Sequence, residues 1–154
     1  MYTLRDALSS ENLTALNTLK SGVTFVSNNT RLGVNNFNNL SVYEYSKWKT
    51  WTRTQRSNFK NCFATADIDK AVIGYFLRFP ANTGFLDEMN AWQDATSVGT
   101  IVAYSLTENN SITIDGNTVS VAKGQGIEFS LKNAHAISTS ATDSDWACLM
   151  LMKQ

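Results

Sequence analysis

The sequence predicts an α+β domain in which an antiparallel β-roll over residues 65–154 follows a segment with two helices over residues 1–64. Three observations predict it. Seven short β-rich runs separated by turn residues occupy the second half, helix start and stop signals occupy the first, and no internal repeat or low-complexity tail divides the 154 residues. With 43% hydrophobic residues, one domain spanning 1–154 can bury most of its apolar surface without disulfides or metal.

The first helix is expected over residues 10–20. Ser9-Ser10 supplies the cap, Leu13, Leu16 and Leu19 form the stripe, and Gly22 stops it. Val23 to Val26 is a short β-branched and aromatic run, and residues 27–39, rich in Asn, read as a loop or irregular edge. A second helix is expected from Ser41 to Cys62, because Ser41 and Glu44 have capping-box spacing. Tyr45, Trp48, Trp51, Gln55, Phe59 and Cys62 would share one face, with Lys49, Arg53, Arg56 and Lys60 on an adjacent basic face. The strand runs then follow at 71–79, 98–106, 111–114, 118–122, 126–131, 134–138 and 146–152. Asp115-Gly116 reads as a hairpin turn with positive φ, and Pro80, the single proline, closes the first run.

The formal net charge is zero, which argues against a dedicated nucleic-acid binder. The sum hides an asymmetry: residues 1–80 carry ten Lys/Arg and five Asp/Glu, residues 81–154 three and eight, so the halves are about +5 and −5. They would attract each other within one fold or between copies. Charged residues make up 17% of the chain, below the roughly 25% of an average soluble protein, so the surface is carried by Asn, Ser and Thr. The longest apolar run is residues 71–77 and the N-terminus shows no apolar signal core, so a soluble chain without a membrane span is expected. Cys62 and Cys148 lie far apart without metal-like spacing and are expected to be buried, reduced thiols.

Residues 124–135 run from Gly124-Gln125-Gly126 through Phe129 to Ala134-His135. This run resembles the second signature of the iron- and 2-oxoglutarate-dependent oxygenases, in which a Gly turn leads into a strand, a Phe packs inward and the last metal-binding His follows eleven residues after the Gly. Residues 75–85 resemble the strand and turn before that family's first metal motif. The likeness spans about residues 71–152, half the chain, and implies a double-stranded β-helix, a jelly-roll or cupin-like fold. Its chemistry needs two histidines and a carboxylate. This chain has one histidine, and the His-x-Asp positions fall on Met89-Asn90-Ala91 or Asn90-Ala91-Trp92. The cation that would grip the 2-oxoglutarate carboxylate, about ten residues past the last His, is replaced by Asp145 and Trp146. No cofactor is therefore expected.

His135 is left as a vestigial ligand or a hydrogen-bonded histidine; joined by Asp87 or Glu88 it would make only a weak cation site. Tyr75, Trp92, Tyr104, His135 and Trp146 are candidates for the mouth of the roll, where aromatics could stack on a sugar, core packing being the plainer account. The basic face could follow phosphates, or its cations could be solvated or turned to the acidic half. These readings converge on a non-catalytic structural or binding protein with protein partners or self-assembly. Its context would be a virion, as a capsid or tail component, or else the cytoplasm. The alternatives are an oxygenase-like enzyme and a module binding carbohydrate or another small molecule.

Overall fold

The first helix forms as its caps require. In the computed structural model, which describes residues 2–28, 43–79, 84–87, 99–108, 110–130, 135–138 and 143–151, α1 covers Ser10–Gly22. The Ser9 hydroxyl accepts from the Asn12 N–H at 3.1 Å, and Leu16 is fully buried. Ahead of it, β1 (Tyr2–Arg5) was not foreseen; after it, β2 covers Val26–Asn28.

The helix expected over 41–62 does not form as one element. Tyr43–Lys47 is a strand, β3, followed by a 3-10 turn at Trp48–Thr50 and a shorter helix, α2, at Arg53–Lys60. The capping box that operates belongs to Thr52 and Gln55: Gln55 N–H donates to the Thr52 hydroxyl at 3.1 Å and Thr52 N–H to the Gln55 side-chain oxygen at 2.9 Å. Ser41-x-x-Glu44 has the same spacing, but Glu44 to Lys47 pair with Arg78 to Tyr75 of the next strand, and sheet partners outweigh a local cap. Ser46, 1% exposed, accepts from the Trp51 indole N–H at 2.8 Å, locking strand to turn.

Among the described residues a third helix, α3 (Thr65–Lys70), leads into eight strands: β4 (Ala71–Phe79), β5 (Gly84–Asp87), β6 (Thr100–Ser105), β7 (Asn110–Ile114), β8 (Asn117–Val121), β9 (Gly126–Ser130), β10 (His135–Ser138) and β11 (Ser144–Leu151). They form two antiparallel sheets, a larger one in the order β1-β9-β6-β11-β4-β3-β2 and a smaller one in the order β5-β10-β7-β8. The segment 1–64 is thus not simply helical, since three of its strands extend the larger sheet at both edges. The β7–β8 turn is the expected hairpin, with φ of 49° at Asp115 and 82° at Gly116. Pro80 lies outside the described residues, next to the end of β4.

Alternation along the central strands makes two cores. Leu77, Phe79, Ile101, Ile112, Ile114, Phe129 and Trp146 pack between the sheets, while Phe76, Val102, Tyr104 and Leu149 point the other way, under the helices with Leu16, Trp51 and Phe59. Cys148 lies in the first cluster and Cys62 in the second; both are buried and free, as expected. Among the described residues no helix is long and apolar enough to cross a membrane.

Candidate functional site

Gly124 sits at φ 87°, a left-handed backbone position that suits glycine, and its N–H donates to the Ser105 carbonyl at 2.7 Å as the chain turns into β9. Five residues on, Phe129 is 2% exposed between the sheets. His135 opens β10, where its backbone stands opposite Asp87 at the end of β5 and Ile114 on β7. The order β5-β10-β7-β8 therefore brings the histidine and the last described residue before the family's first metal motif to one corner of the roll. Glu88, Met89, Asn90, Ala91 and Trp92 lie outside the described residues.

A ferrous centre of the oxygenase type takes two histidines and a carboxylate. The chain has a single histidine, and among the described residues no three His, Cys, Asp or Glu side chains gather to hold a metal. The donor set does not fit the ferrous centre of that family.

Asp145 and Trp146, the two residues at the expected co-substrate position, face opposite ways. The Asp145 carboxylate accepts from Arg78 Nε at 3.0 Å and pairs with Lys20 Nζ of α1 at 2.8 Å. Alternation turns its neighbour inward instead. Trp146 is fully buried between the sheets, and its indole N–H donates to the Ser144 hydroxyl at 2.7 Å. Neither of the two residues at the position where the resemblance implies a cation is one.

No family model matches the chain, and no curated protein matches its sequence. Solved structures do match its shape. A prolyl hydroxylase from Trichoplax adhaerens, solved with a hypoxia inducible factor peptide, aligns over 98% of this chain and 83% of its own with a TM-score of 0.66 at 13% identity. A viral collagen prolyl hydroxylase from Paramecium Bursaria Chlorella virus-1 aligns over 97% and 94% with a TM-score of 0.63 at 10% identity. A predicted oxalate decarboxylase from Thermotoga maritima aligns over 86% and 96% with a TM-score of 0.53 at 14% identity. The fold is a double-stranded β-helix. At such identities the likeness carries the fold alone, and the first two alignments extend through the N-terminal segment as well as the roll.

Within this double-stranded β-helix the three mouth candidates whose side chains are described do not form one group. Tyr75 and Trp146 belong to the core between the sheets, whereas Tyr104 lies on the opposite face of the larger sheet, its ring 5.7 Å from that of Phe63. Burial raises the Tyr104 phenol above its usual range. Trp92 lies outside the described residues, and for His135 only the backbone is described.

The basic face survives in shorter form. Lys49 sits on the 3-10 turn, and Arg53, Arg56 and Lys60 ride on α2, with the Lys60 ammonium 5.0 Å from the centroid of the Trp48 ring. Trp51, Phe59 and Cys62 are buried in the core on the helix side of the larger sheet.

Two charge networks escaped sequence reasoning in detail. Arg5 joins Asp67 at 2.8 Å and Glu128 at 2.7 Å, and hydrogen bonding to Asp67 is the main reason its guanidinium holds its proton more firmly than usual. Lys20 and Arg78 share Asp145. The opposite charge of the two halves signalled attraction between them without naming Arg5–Glu128, Lys20–Asp145 or Arg78–Asp145, and gave no signal for Arg5–Asp67, which lies within one half.

Proposed function

We propose that this chain is a non-catalytic binding or structural protein that keeps the double-stranded β-helix of the oxygenases without their reaction. One observation carries this reading: Trp146 fills the roll interior at the strand where the co-substrate cation would stand, while the adjacent charge, Asp145, is turned outward and neutralised by Lys20 and Arg78. A single histidine supports it. Function would then reside on the surfaces of the sheets and helices. Anaerobic titration with ferrous iron and 2-oxoglutarate tests it; no metal-to-ligand charge-transfer band is expected, and a band at ordinary affinity would overturn it.

A second reading, an oxygenase-like or other roll enzyme, draws on two observations. The hydroxylases and the predicted decarboxylase that share the fold are enzymes by name, and His135 stands in backbone register with Asp87. Iron retained by purified, untagged protein and lost in His135→Ala would favour it. Assembly into a particle is the form the first reading takes if mass measurement in solution gives a defined oligomer instead of a monomer.

A further inference from the structure

The exposed side of α2 carries a cationic groove. Arg53, Arg56, Ser57, Lys60 and Asn61 line a surface depression of about 510 Å³. Arg53, Arg56 and Lys60 follow i, i+3, i+7 spacing, which sets them along one helix face over roughly 10 Å.

Three features characterise these cations, and the last two set them apart from a solvated helix face. The other cations of the basic half that make described ion pairs, Arg5, Lys20 and Arg78, are matched by Asp67, Glu128 and Asp145; among the described residues, Arg53, Arg56 and Lys60 have no carboxylate partner. Their spacing puts like charges beside one another, which costs helix stability. Arg53 occupies the first turn of α2, where no acidic residue is present and the helix dipole disfavours a cation. Lys60, in the last turn, is favoured by the dipole and lies over Trp48, so helix stability leaves Arg53 and its repulsion with Arg56 unexplained, and a bound anion would relieve both costs.

The groove also limits what the anion is. Arg56 is oriented by a hydrogen bond from Nη1 to the Trp51 carbonyl at 3.1 Å, and guanidinium groups suit phosphate oxygens in a fork geometry. Ser57 and Asn61 add neutral hydrogen-bonding groups. No aromatic side chain lines the depression: Trp51 is buried, and Lys60 lies over Trp48. Recognition would rest on charge and hydrogen bonds without base stacking. We infer that the α2 groove binds a ligand presenting adjacent phosphate groups, reading the phosphates and not what they are attached to. A net charge of zero does not oppose this, because the potential that matters is local.

The test uses the full chain with two probes, inorganic tripolyphosphate and a labelled single-stranded DNA 12-mer of mixed sequence, at 50 and 200 mM KCl. Both are expected to bind, with tripolyphosphate displacing the oligonucleotide. Three phosphate contacts on a single strand predict a loss of about twentyfold in oligonucleotide affinity between the two salts. The double variant Arg53→Gln/Lys60→Gln, at exposed positions where the fold should hold, would retain roughly a third of the salt slope while still unfolding in one cooperative transition. Binding of tripolyphosphate without the oligonucleotide assigns the groove to small phosphorylated ligands, and displaceable oligonucleotide binding assigns it to a nucleic-acid backbone. Failure of both probes at the lower salt, binding that the folded double variant keeps in full, or an oligonucleotide that tripolyphosphate does not displace would each overturn the inference.

Discussion

Asp145 and Trp146 are neighbours on β11 with opposite environments. The carboxylate, 7% exposed in its side chain, is held by Lys20 and Arg78 on the helix side of the larger sheet. Removing it leaves two cations facing a mostly buried site, so Asp145→Ala should cost about 3 kcal/mol in denaturant unfolding, and Lys20→Met, which leaves the Arg78 pair intact, roughly 1 kcal/mol. Equal effects from the two substitutions would refute a shared pair centred on Asp145. Trp146 could be recognised in the sequence as an aromatic, but which of these adjacent residues entered the roll depended on strand phase. Phase is a property of the whole sheet, because a one-residue shift exchanges every inward and outward side chain.

At the level of elements, residues 43–62 show where local signals compete. Ser41-x-x-Glu44 and Thr52-x-x-Gln55 are equally good capping boxes as strings of letters. The second operates because residues 44–47 find a long-range partner in β4. Thr52→Ala should therefore destabilise the fold by about 1 kcal/mol, read as a lower denaturant midpoint at unchanged slope. The same region depends on Gly74, where an added Cβ would come within 2.5 Å of the Phe59 ring and 2.7 Å of the Trp48 ring. Gly74→Ala must push two aromatic side chains aside and should cost about 1–3 kcal/mol by the same measurement. A neutral result would mean that α2 does not sit as closely on β4 as described.

For the whole molecule, the ion pairs of Arg5 and Lys20 stitch β1 and α1 to the β-roll, and the two buried thiols report on its integrity. Burial raises the Cys148 thiol well above its ordinary range and raises Cys62 in the same direction. The sign for stability follows directly. Above about pH 8.5 the unfolded chain gives up thiol protons that the folded chain retains, so unfolding becomes easier as pH rises. Stability should be lower at pH 9.5 than at pH 7 in urea titrations, and native protein should resist thiol reagents until it unfolds. Rapid labelling of Cys148 under native conditions would contradict its burial.

Much of the roll was readable from residues because its signals are local: alternating strands, the Asp115-Gly116 turn, and the Gly124, Phe129 and His135 spacing, whose glycine does take a left-handed φ and whose Phe does pack inward. The single histidine was equally readable. Folding in three dimensions settled the partition of 43–62 between strand and helix, the separation of Tyr104 from Tyr75 and Trp146, and the choice of Trp146 over Asp145 for the roll interior. Those outcomes depend on pairing between residues distant in the chain, and pairing energy is absent from any local window of letters.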